Sequence, residues 1–198
     1  MNTNIFDDLG TDEATALTRL HSRLAHDADA ADMLDVAYRT VDTPVGTLLL
    51  AATTAGLVRV AYDIEGHDAV LAGLADRISP RVLRAPARLD SAARQIDEYF
   101  AKRRTLFDVP VDLRLAEGFR RNVIEHLRDI GYGRRESYAA VAAAIGHPRA
   151  VRAVGTACAH NPLPVVIPCH RVVRSDGSTG QYVGGRLAKS TLLDLEAA

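Results

Sequence analysis

The chain has 198 residues, 47% of them hydrophobic, and this length accommodates one large domain or two small ones. It contains two cysteines, which excludes a disulfide framework and a cysteine-rich zinc site, and its seven histidines show no paired metal-ligand spacing. No signal peptide and no apolar run of about 18 residues is found, so we expect a soluble protein of the reducing cytoplasm with no metal.

The formal net charge of −1 conceals an uneven distribution of charge along the chain. Residues 1–35 hold two basic and eight acidic side chains, a net charge of −6, whereas residues 110–198 hold twelve basic and eight acidic side chains, a net charge of +4. The C-terminal half is therefore the part that we expect to meet a polyanion such as DNA.

The first 35 residues are predicted to form an acidic N-terminal extension. Leu17, Leu20 and Leu24 recur at helical spacing, with polar residues between them. The simpler interpretation is a helix that packs through this face on the following domain. The alternative is an acidic flap that competes with DNA for a basic surface.

Residues 36–62 change to the period of strands. The runs 36–41, 46–52 and 57–62 are separated by turn sequences, which predicts an antiparallel three-stranded meander. Amphipathic helices are predicted over 67–78 and 90–103. Pro110 makes the segment 107–113 an edge strand or a linker, and we place a domain boundary between residues 108 and 109.

From residue 116 the pattern is helical. A helix is predicted over 117–130, and Ser137 is a good N-cap for a short helix over 138–145 that ends at Gly146. Pro148 is expected in the first turn of the next helix, which continues to about residue 159. Two short helices joined in this way predict a helix-turn-helix.

The second helix of this pair carries alanine and glycine on its exposed face, with Arg152 projecting. Small residues allow a close approach of the backbone, which favours the minor groove of DNA over sequence-specific contacts in the major groove. An ordinary amphipathic core helix is the alternative.

The segment Ile167-Pro168-Cys169-His170-Arg171 carries the candidate chemistry. A free cysteine is most often a small buried apolar residue, and a reactive one needs a lowered pKa and access. His170 could deprotonate the thiol directly or through water, and Glu196 is a candidate to orient the imidazole. The residues alone leave both interpretations open.

Taken together, residues 107–196 resemble the O6-alkylguanine-DNA alkyltransferases, which are the methylated-DNA–protein-cysteine methyltransferases. The matching strings include Tyr132-Gly133, Ser137-Tyr138, Asn161-Pro162, Lys189, and the runs 149–155, 167–173 and 175–177. The meander and Tyr99-Phe100 resemble the N-terminal domain of the same family. The resemblance implies an α/β protein with a ribonuclease-H-like N-terminal domain over 36–108 and a mainly helical, DNA-binding catalytic domain over 109–198.

The resemblance also implies a mechanism without a cofactor. The protein would bind duplex DNA through the minor groove and flip O6-alkylguanine out of the stack. Cys169 would then accept the alkyl group irreversibly and once. His170 would deprotonate Cys169 through water, Glu196 would orient His170, Asn161 would brace the turn, and Tyr138 would donate to the departing guanine. O4-alkylthymine is expected as a further substrate.

Further residues are implied to contact the base or the DNA. The base pocket would include Tyr138, the carbonyl groups of Cys169 and Val172, and backbone amides near Tyr182 and Val183. Because Val183 stands where the family often has Ala or Ser, the pocket mouth is expected to be narrower for bulky adducts. Arg152 would fill the space that the flipped base vacates. The other expected DNA contacts are Ala150, Arg120, Ser175 and Arg171.

Three other functions are possible for such a chain, two of them related to alkyl repair and one from another class. A non-catalytic lesion sensor would lack Cys169. A transcriptional activator of the adaptive-response type would need an N-terminal zinc module, and no cysteine precedes Cys158. A Cys-His hydrolase would leave the helix of Arg152 unexplained. We expect a monomer in solution that binds double-stranded DNA, and cooperative binding along the DNA is an alternative to independent binding.

Overall fold

The computed structural model describes residues 5–197. Its N-terminal part is built on a sheet in which β1 (Val36–Thr43), β2 (Gly46–Thr53) and β3 (Gly56–Tyr62) form the predicted antiparallel meander. A short strand, β4 (Val82–Arg84), pairs in parallel with β1 and gives the order β3-β2-β1-β4. Strand β4 was not predicted, because three residues are too few to show a hydrophobic period.

Helices cover both faces of this sheet. Leu48 and Leu50 pack in one apolar cluster with Ile96 of α3 (Asp90–Phe100). Leu49 points to the opposite face and packs in a second cluster with Leu74 of α2 (His67–Arg77). Because successive strand residues point to opposite faces, a strand covered on both sides has an almost continuous apolar sequence, as β2 does. Helix α3 ends at Phe100 and not at residue 103 as predicted.

The N-terminal extension forms α1 (Ile5–Ala30), which confirms the predicted helix. The prediction that its leucine face packs on the next domain is wrong, since Leu17, Leu20 and Leu24 are 60%, 63% and 55% exposed. The helix is held near its C-terminal end, where Ala25 is buried and Asp29 forms an ion pair with Arg88. Within residues 5–197, no helix combines the length and the apolar character needed to cross a membrane.

The C-terminal part is mainly helical. The preceding segment is a linker that forms a single parallel bridge, between Val111 and Leu57, and not a regular edge strand. The elements that follow are α4 (Gly118–Leu127), β5 (Glu136–Ser137), α5 (Tyr138–Ala144), α6 (Val151–Ala159), a 3-10 turn at Cys169–Arg171, β6 (Val172–Val173) and α7 (Gly185–Ala197).

Helices α5 and α6 form the predicted helix-turn-helix. The hydroxyl of Ser137 accepts a hydrogen bond from the amide of Ala140 at 3.0 Å, so Ser137 is the N-cap of α5. Gly146 follows α5 with a φ of 78°, a conformation that glycine adopts without strain. Pro148 lies in the connecting loop, not in the first turn of α6 as predicted, because the chain makes a further turn before Ala150 caps α6.

Candidate active site

Cys169 is the first residue of the 3-10 turn and is 2% exposed. The amide group of Asn161 donates hydrogen bonds to the carbonyl of Ile167 at 2.8 Å and to the sulfur of Cys169 at 3.1 Å. Its oxygen accepts from the amide of Leu163 at 3.0 Å. Asn161 therefore holds the loop before Cys169 and the thiol itself in one arrangement.

The thiol of Cys169 needs help to ionise. Burial raises its pKa to about 11, although the hydrogen bond from Asn161 and the positive charge of Lys189 act in the opposite direction. A thiolate is the nucleophilic form of cysteine. A base close to the sulfur must therefore remove the proton before Cys169 can attack a substrate at neutral pH.

His170 is fully buried, and its Nε2 lies 2.9 Å from Oε1 of Glu196. Burial lowers the pKa of His170, although the hydrogen bond with Glu196 acts against this, so the imidazole is neutral near pH 7. A neutral imidazole that donates from Nε2 to a carboxylate has its lone pair on Nδ1. Among the described residues, nothing bonds to that Nδ1. His170 therefore presents a free basic nitrogen inside the protein.

Glu196 is the centre of a buried network. Its carboxylate accepts from Nε and Nη2 of Arg171 at 2.9 Å each, from the hydroxyl of Tyr99 at 2.7 Å and from the amide of Gly133 at 3.1 Å. Burial alone would raise the pKa of Glu196, but the hydrogen bonds from His170 and Arg171 hold it well below its usual range. Glu196 therefore stays ionised and orients the imidazole.

The expectation that Arg171 contacts DNA is wrong. Arg171 is 6% exposed, and besides Glu196 it donates to the carbonyl of Ile130. A guanidinium held in this way cannot reach a phosphate at the protein surface. Arg171 follows the Cys-His pair in sequence, but this position does not reveal which way its side chain points. In the structure, the 3-10 turn directs it into the protein interior.

Tyr138 and Lys189 lie close enough to Cys169 to interact with it electrostatically. Tyr138 begins α5 and is half-buried, and a Cβ added at Gly180 would lie 3.1 Å from its hydroxyl. Burial raises the pKa of Tyr138, so it remains a protonated hydrogen-bond donor. Lys189 is fully buried, donates from Nζ to the carbonyl of Val172 at 2.6 Å, and lies 5.9 Å from the centre of the Tyr138 ring.

The loop before α7 carries Tyr182 and Val183. The ring of Tyr182 stands edge-on to the ring of His170, with 6.3 Å between the centroids, and Val183 packs against the core. The hydroxyl of Tyr182 lies 3.1 Å from the hydroxyl of Tyr62, which belongs to β3 of the sheet domain. Tyr62 was not among the predicted site residues, because the end of an ordinary strand gives no signal of a contact with a loop 120 residues later.

The remaining predicted DNA-contacting residues lie nearer the surface. Arg152 is exposed on α6, Ala150 is half-buried at its start, and Ser175 is exposed in the loop after β6. Arg120 is half-buried on α4 and lines a cleft beside His160. The structure therefore gathers the predicted catalytic side chains at Cys169 and leaves these residues outside that cluster.

A cysteine with a buried histidine–glutamate pair, set next to a helix-turn-helix, defines a DNA-binding protein that carries its own nucleophile. Family models described as "6-O-methylguanine DNA methyltransferase", ribonuclease-like domain and DNA binding domain, match residues 36–113 and 118–198. The chain is 39% identical over 161 residues to a methylated-DNA–protein-cysteine methyltransferase of Mycolicibacterium paratuberculosis, covering 81% of this chain and 92% of that protein. It belongs to this family.

Other comparisons agree. The bifunctional transcriptional activator/DNA repair enzyme Ada of Escherichia coli is 37% identical over 166 residues, covering 83% of this chain and 46% of that protein. The O6-methylguanine methyltransferase of Mycobacterium tuberculosis superposes with a TM-score of 0.72 at 36% identity, covering 82% of this chain and 93% of the other. Mycobacterium tuberculosis OGT in complex with DNA gives a TM-score of 0.70 at 36% identity, covering 81% of this chain and 92% of the other. The predicted α/β fold with a ribonuclease-like N-terminal domain is confirmed.

Proposed function

We propose that this protein repairs O6-alkylguanine in duplex DNA by transferring the alkyl group to Cys169. The observation that carries the proposal is the arrangement of Cys169, fixed by Asn161, next to His170, whose Nε2 is held by Glu196 at 2.9 Å. The relatives named for methylated DNA and cysteine methyl transfer support the substrate and the reaction.

The first step is deprotonation of the thiol. Nδ1 of His170 is the nitrogen that can accept a proton, because Nε2 donates to Glu196. Adjacent side chains need not face each other, so a water molecule passes the proton from Cys169 to His170. The carboxylate of Glu196 stabilises the imidazolium that forms, as carboxylates do in other nucleophile–histidine pairs.

The second step is a single in-line displacement. The thiolate of Cys169 attacks the alkyl carbon, the sulfur–carbon bond forms, and the bond between that carbon and O6 of guanine breaks with its electron pair passing to the base. Tyr138 donates a proton or a hydrogen bond to the departing guanine. The product is a thioether with no leaving group for a return step, so each molecule acts once and needs no cofactor.

Access to Cys169 requires base flipping, because the thiol is 2% exposed and the O6 substituent lies inside the base stack. The DNA contacts are assigned to Arg152, Ala150, Ser175 and Arg120, with Arg152 filling the gap left in the duplex. The small residues of α6 suit the minor groove. The sheet domain, residues 36–108, supports the catalytic domain, residues 109–198.

The flipped base is held by backbone groups. The carbonyl groups of Cys169 and Val172 accept from its exocyclic amine, and amides near Tyr182 and Val183 approach O6. A carbonyl oxygen has two lone pairs, so Val172 can accept from the base while it accepts from Lys189. O4-alkylthymine is a second substrate. The protein acts as a monomer in the cytoplasm, where its two cysteines stay reduced.

The test is the mass of the intact protein after incubation with an excess of a duplex that carries one O6-methylguanine. We expect one added methyl group, mapped to Cys169 and absent from Cys169→Ser. Cys158→Ser is the matched control, because it removes the other buried thiol, which belongs to α6, and leaves the proposed acceptor in place.

Two outcomes would overturn the proposal in different ways. Lesion-specific binding without a change of mass indicates a lesion sensor. If the protein neither binds the lesion nor changes mass, the remaining interpretation is a Cys-His hydrolase. Such an enzyme should release product from small activated esters.

A further inference from the structure

Tyr62 connects the sheet domain to the active-site loop. It is the last residue of β3 and is 2% exposed. Its hydroxyl lies 3.1 Å from the hydroxyl of Tyr182, and the two rings stand edge to face at 77° with 5.7 Å between their centroids. A residue of the sheet domain therefore touches a side chain that packs on His170.

The space around Tyr62 accounts for a glycine in the same loop. A Cβ added at Gly184 would lie 2.6 Å from the Tyr62 ring, closer than carbon atoms can approach. Gly184 does not have the positive φ that would by itself require glycine. The requirement at this position therefore comes from the ring of Tyr62, which holds the loop tightly against the sheet domain.

Tyr182 also lies near the cysteine. It is close enough to Cys169 for its hydroxyl to favour the thiolate, which acts to lower the pKa of that thiol. Burial raises the pKa of both Tyr62 and Tyr182, so both phenols keep their protons. If Tyr62 donates to the oxygen of Tyr182, the single proton of Tyr182 is directed elsewhere, and sulfur is the acceptor that gains most when it becomes negative.

We propose that Tyr62 is a positioning residue for alkyl transfer: its hydroxyl holds the hydroxyl of Tyr182 so that Tyr182 donates to the sulfur of Cys169 as the thiolate forms. Hydrogen bonds in such a chain strengthen one another. The inference rests on the proposed function. The other ionisable groups that face the two tyrosines are Glu65, Tyr99 and His170.

The first test is Tyr62→Phe, which removes one oxygen and keeps the ring. We expect the single-turnover rate constant on an O6-methylguanine duplex to fall about tenfold at pH 7, the size of one charge-assisted hydrogen bond. The loss should shrink as the pH rises, because the thiolate then forms without this help. DNA affinity should stay within about twofold. Tyr38→Phe is the matched control, since Tyr38 is a half-buried tyrosine of β1 in the same sheet.

A double-mutant cycle separates the proposed chain from a general packing effect. Tyr182→Phe should slow transfer, and adding Tyr62→Phe should change the rate little further, because the chain is already broken. Gly184→Ala should also slow transfer, because its Cβ would collide with the ring of Tyr62. Adding Tyr62→Leu removes the ring and makes room for that Cβ. The double variant should therefore react as fast as Tyr62→Phe.

The reaction of Cys169 with iodoacetamide, followed by mass across pH, keeps this test independent of DNA repair. Tyr62→Phe should move the midpoint of that reaction to higher pH even if the native protein transfers no alkyl group from DNA. Native-like rates in Tyr62→Phe, an equal loss at every pH, or additive effects in the cycle would each overturn the role of Tyr62.

Discussion

The two halves of the molecule bury polar groups in different ways. In the sheet domain the strands pack almost entirely through apolar side chains, and a buried carboxylate, Asp112, appears only beyond its edge, bonded to Thr53 at 2.6 Å. The helical domain encloses a cluster of polar and charged side chains around the cysteine, namely Asn161, His170, Arg171, Lys189 and Glu196.

This difference shows that the helical domain accepts a loss of folding free energy in order to hold polar groups at the cysteine. A buried polar group destabilises a fold unless hydrogen bonds replace its water, and a buried charge does so more strongly. Well-packed apolar side chains of similar volume often stabilise a core as well as a buried ion pair does. If the polar cluster serves alkyl transfer, its variants should slow the reaction, whereas variants of the polar contacts in the sheet domain should change stability alone.

The largest effect is expected for Glu196→Gln. The change leaves the buried guanidinium of Arg171 without its counter-ion, which should lower the free energy of unfolding by about 3 kcal/mol. It also removes the carboxylate that orients His170, so transfer should slow about a hundredfold. Thermal unfolding and single-turnover kinetics measure the two effects. Asp194→Asn, on the exposed side of α7, is the control, and native-like unfolding of Glu196→Gln would show that the network is not stabilising.

Acid should destabilise the helical domain in two stages. The pKa of His170 is lowered from its usual 6.5, so below pH 6.5 the unfolded chain binds a proton that the folded chain refuses, and stability falls as pH falls. The pKa of Glu196 is lowered from 4.5, so its stabilisation is present above pH 4.5 and is lost as pH falls below that value. Urea unfolding from pH 8 to about pH 2 tests both stages. The first stage should be absent from His170→Gln, and a first stage that persists there must come from other groups.

Lys189→Met should separate function from stability. Among the described residues, no carboxylate pairs with this buried ammonium group, so removing its charge should offset the hydrogen bond lost to Val172. The free energy of unfolding should therefore change by less than about 1 kcal/mol. Transfer should nevertheless slow about tenfold, because the carbonyl of Val172 loses its partner and the pKa of Cys169 rises. A large loss of stability with unchanged transfer would make Lys189 a structural residue.

In the sheet domain, Thr53→Val should lower stability and leave alkyl transfer unchanged, the opposite of Lys189→Met. It removes the hydrogen bond to Asp112 and should cost about 1 kcal/mol of unfolding free energy. Asp112 keeps its ion pair with Arg114 at 2.7 Å, which limits the loss. Transfer kinetics on an O6-methylguanine duplex should be unchanged. A slower reaction would mean that this contact, too, bears on the active site.

The smallest effect is expected for Leu20→Gln in α1. A side chain that is 63% exposed contributes little packing, so the free energy of unfolding should change by less than about 0.5 kcal/mol. Ala25→Gln, at a buried position of the same helix, is the contrasting variant and should destabilise the protein more. Equal effects in a denaturation experiment would contradict the attachment of α1 through its C-terminal end.

Local patterns accounted for most of the elements. The strand runs of 36–62 and the N-cap at Ser137 follow from alternation and from capping chemistry, which act over a few residues. Such local signals do not determine which part of the protein a helix packs against. The leucine face of α1 has the spacing of a packed helix, yet Leu17, Leu20 and Leu24 are each more than half exposed, and only the tertiary structure reveals this.

The sequence by itself determined the family, the strand meander, the helix-turn-helix and the candidates Cys169, His170 and Glu196, because these depend on local periodicity and on a short, distinctive string of residues. Tertiary structure alone decided that Arg171 turns inwards to Glu196, that Lys189 is fully buried against the carbonyl of Val172, and that Tyr62 reaches the active-site loop. Those contacts join residues that are 25, 17 and 120 positions apart, and contacts over such separations are set by how whole elements pack.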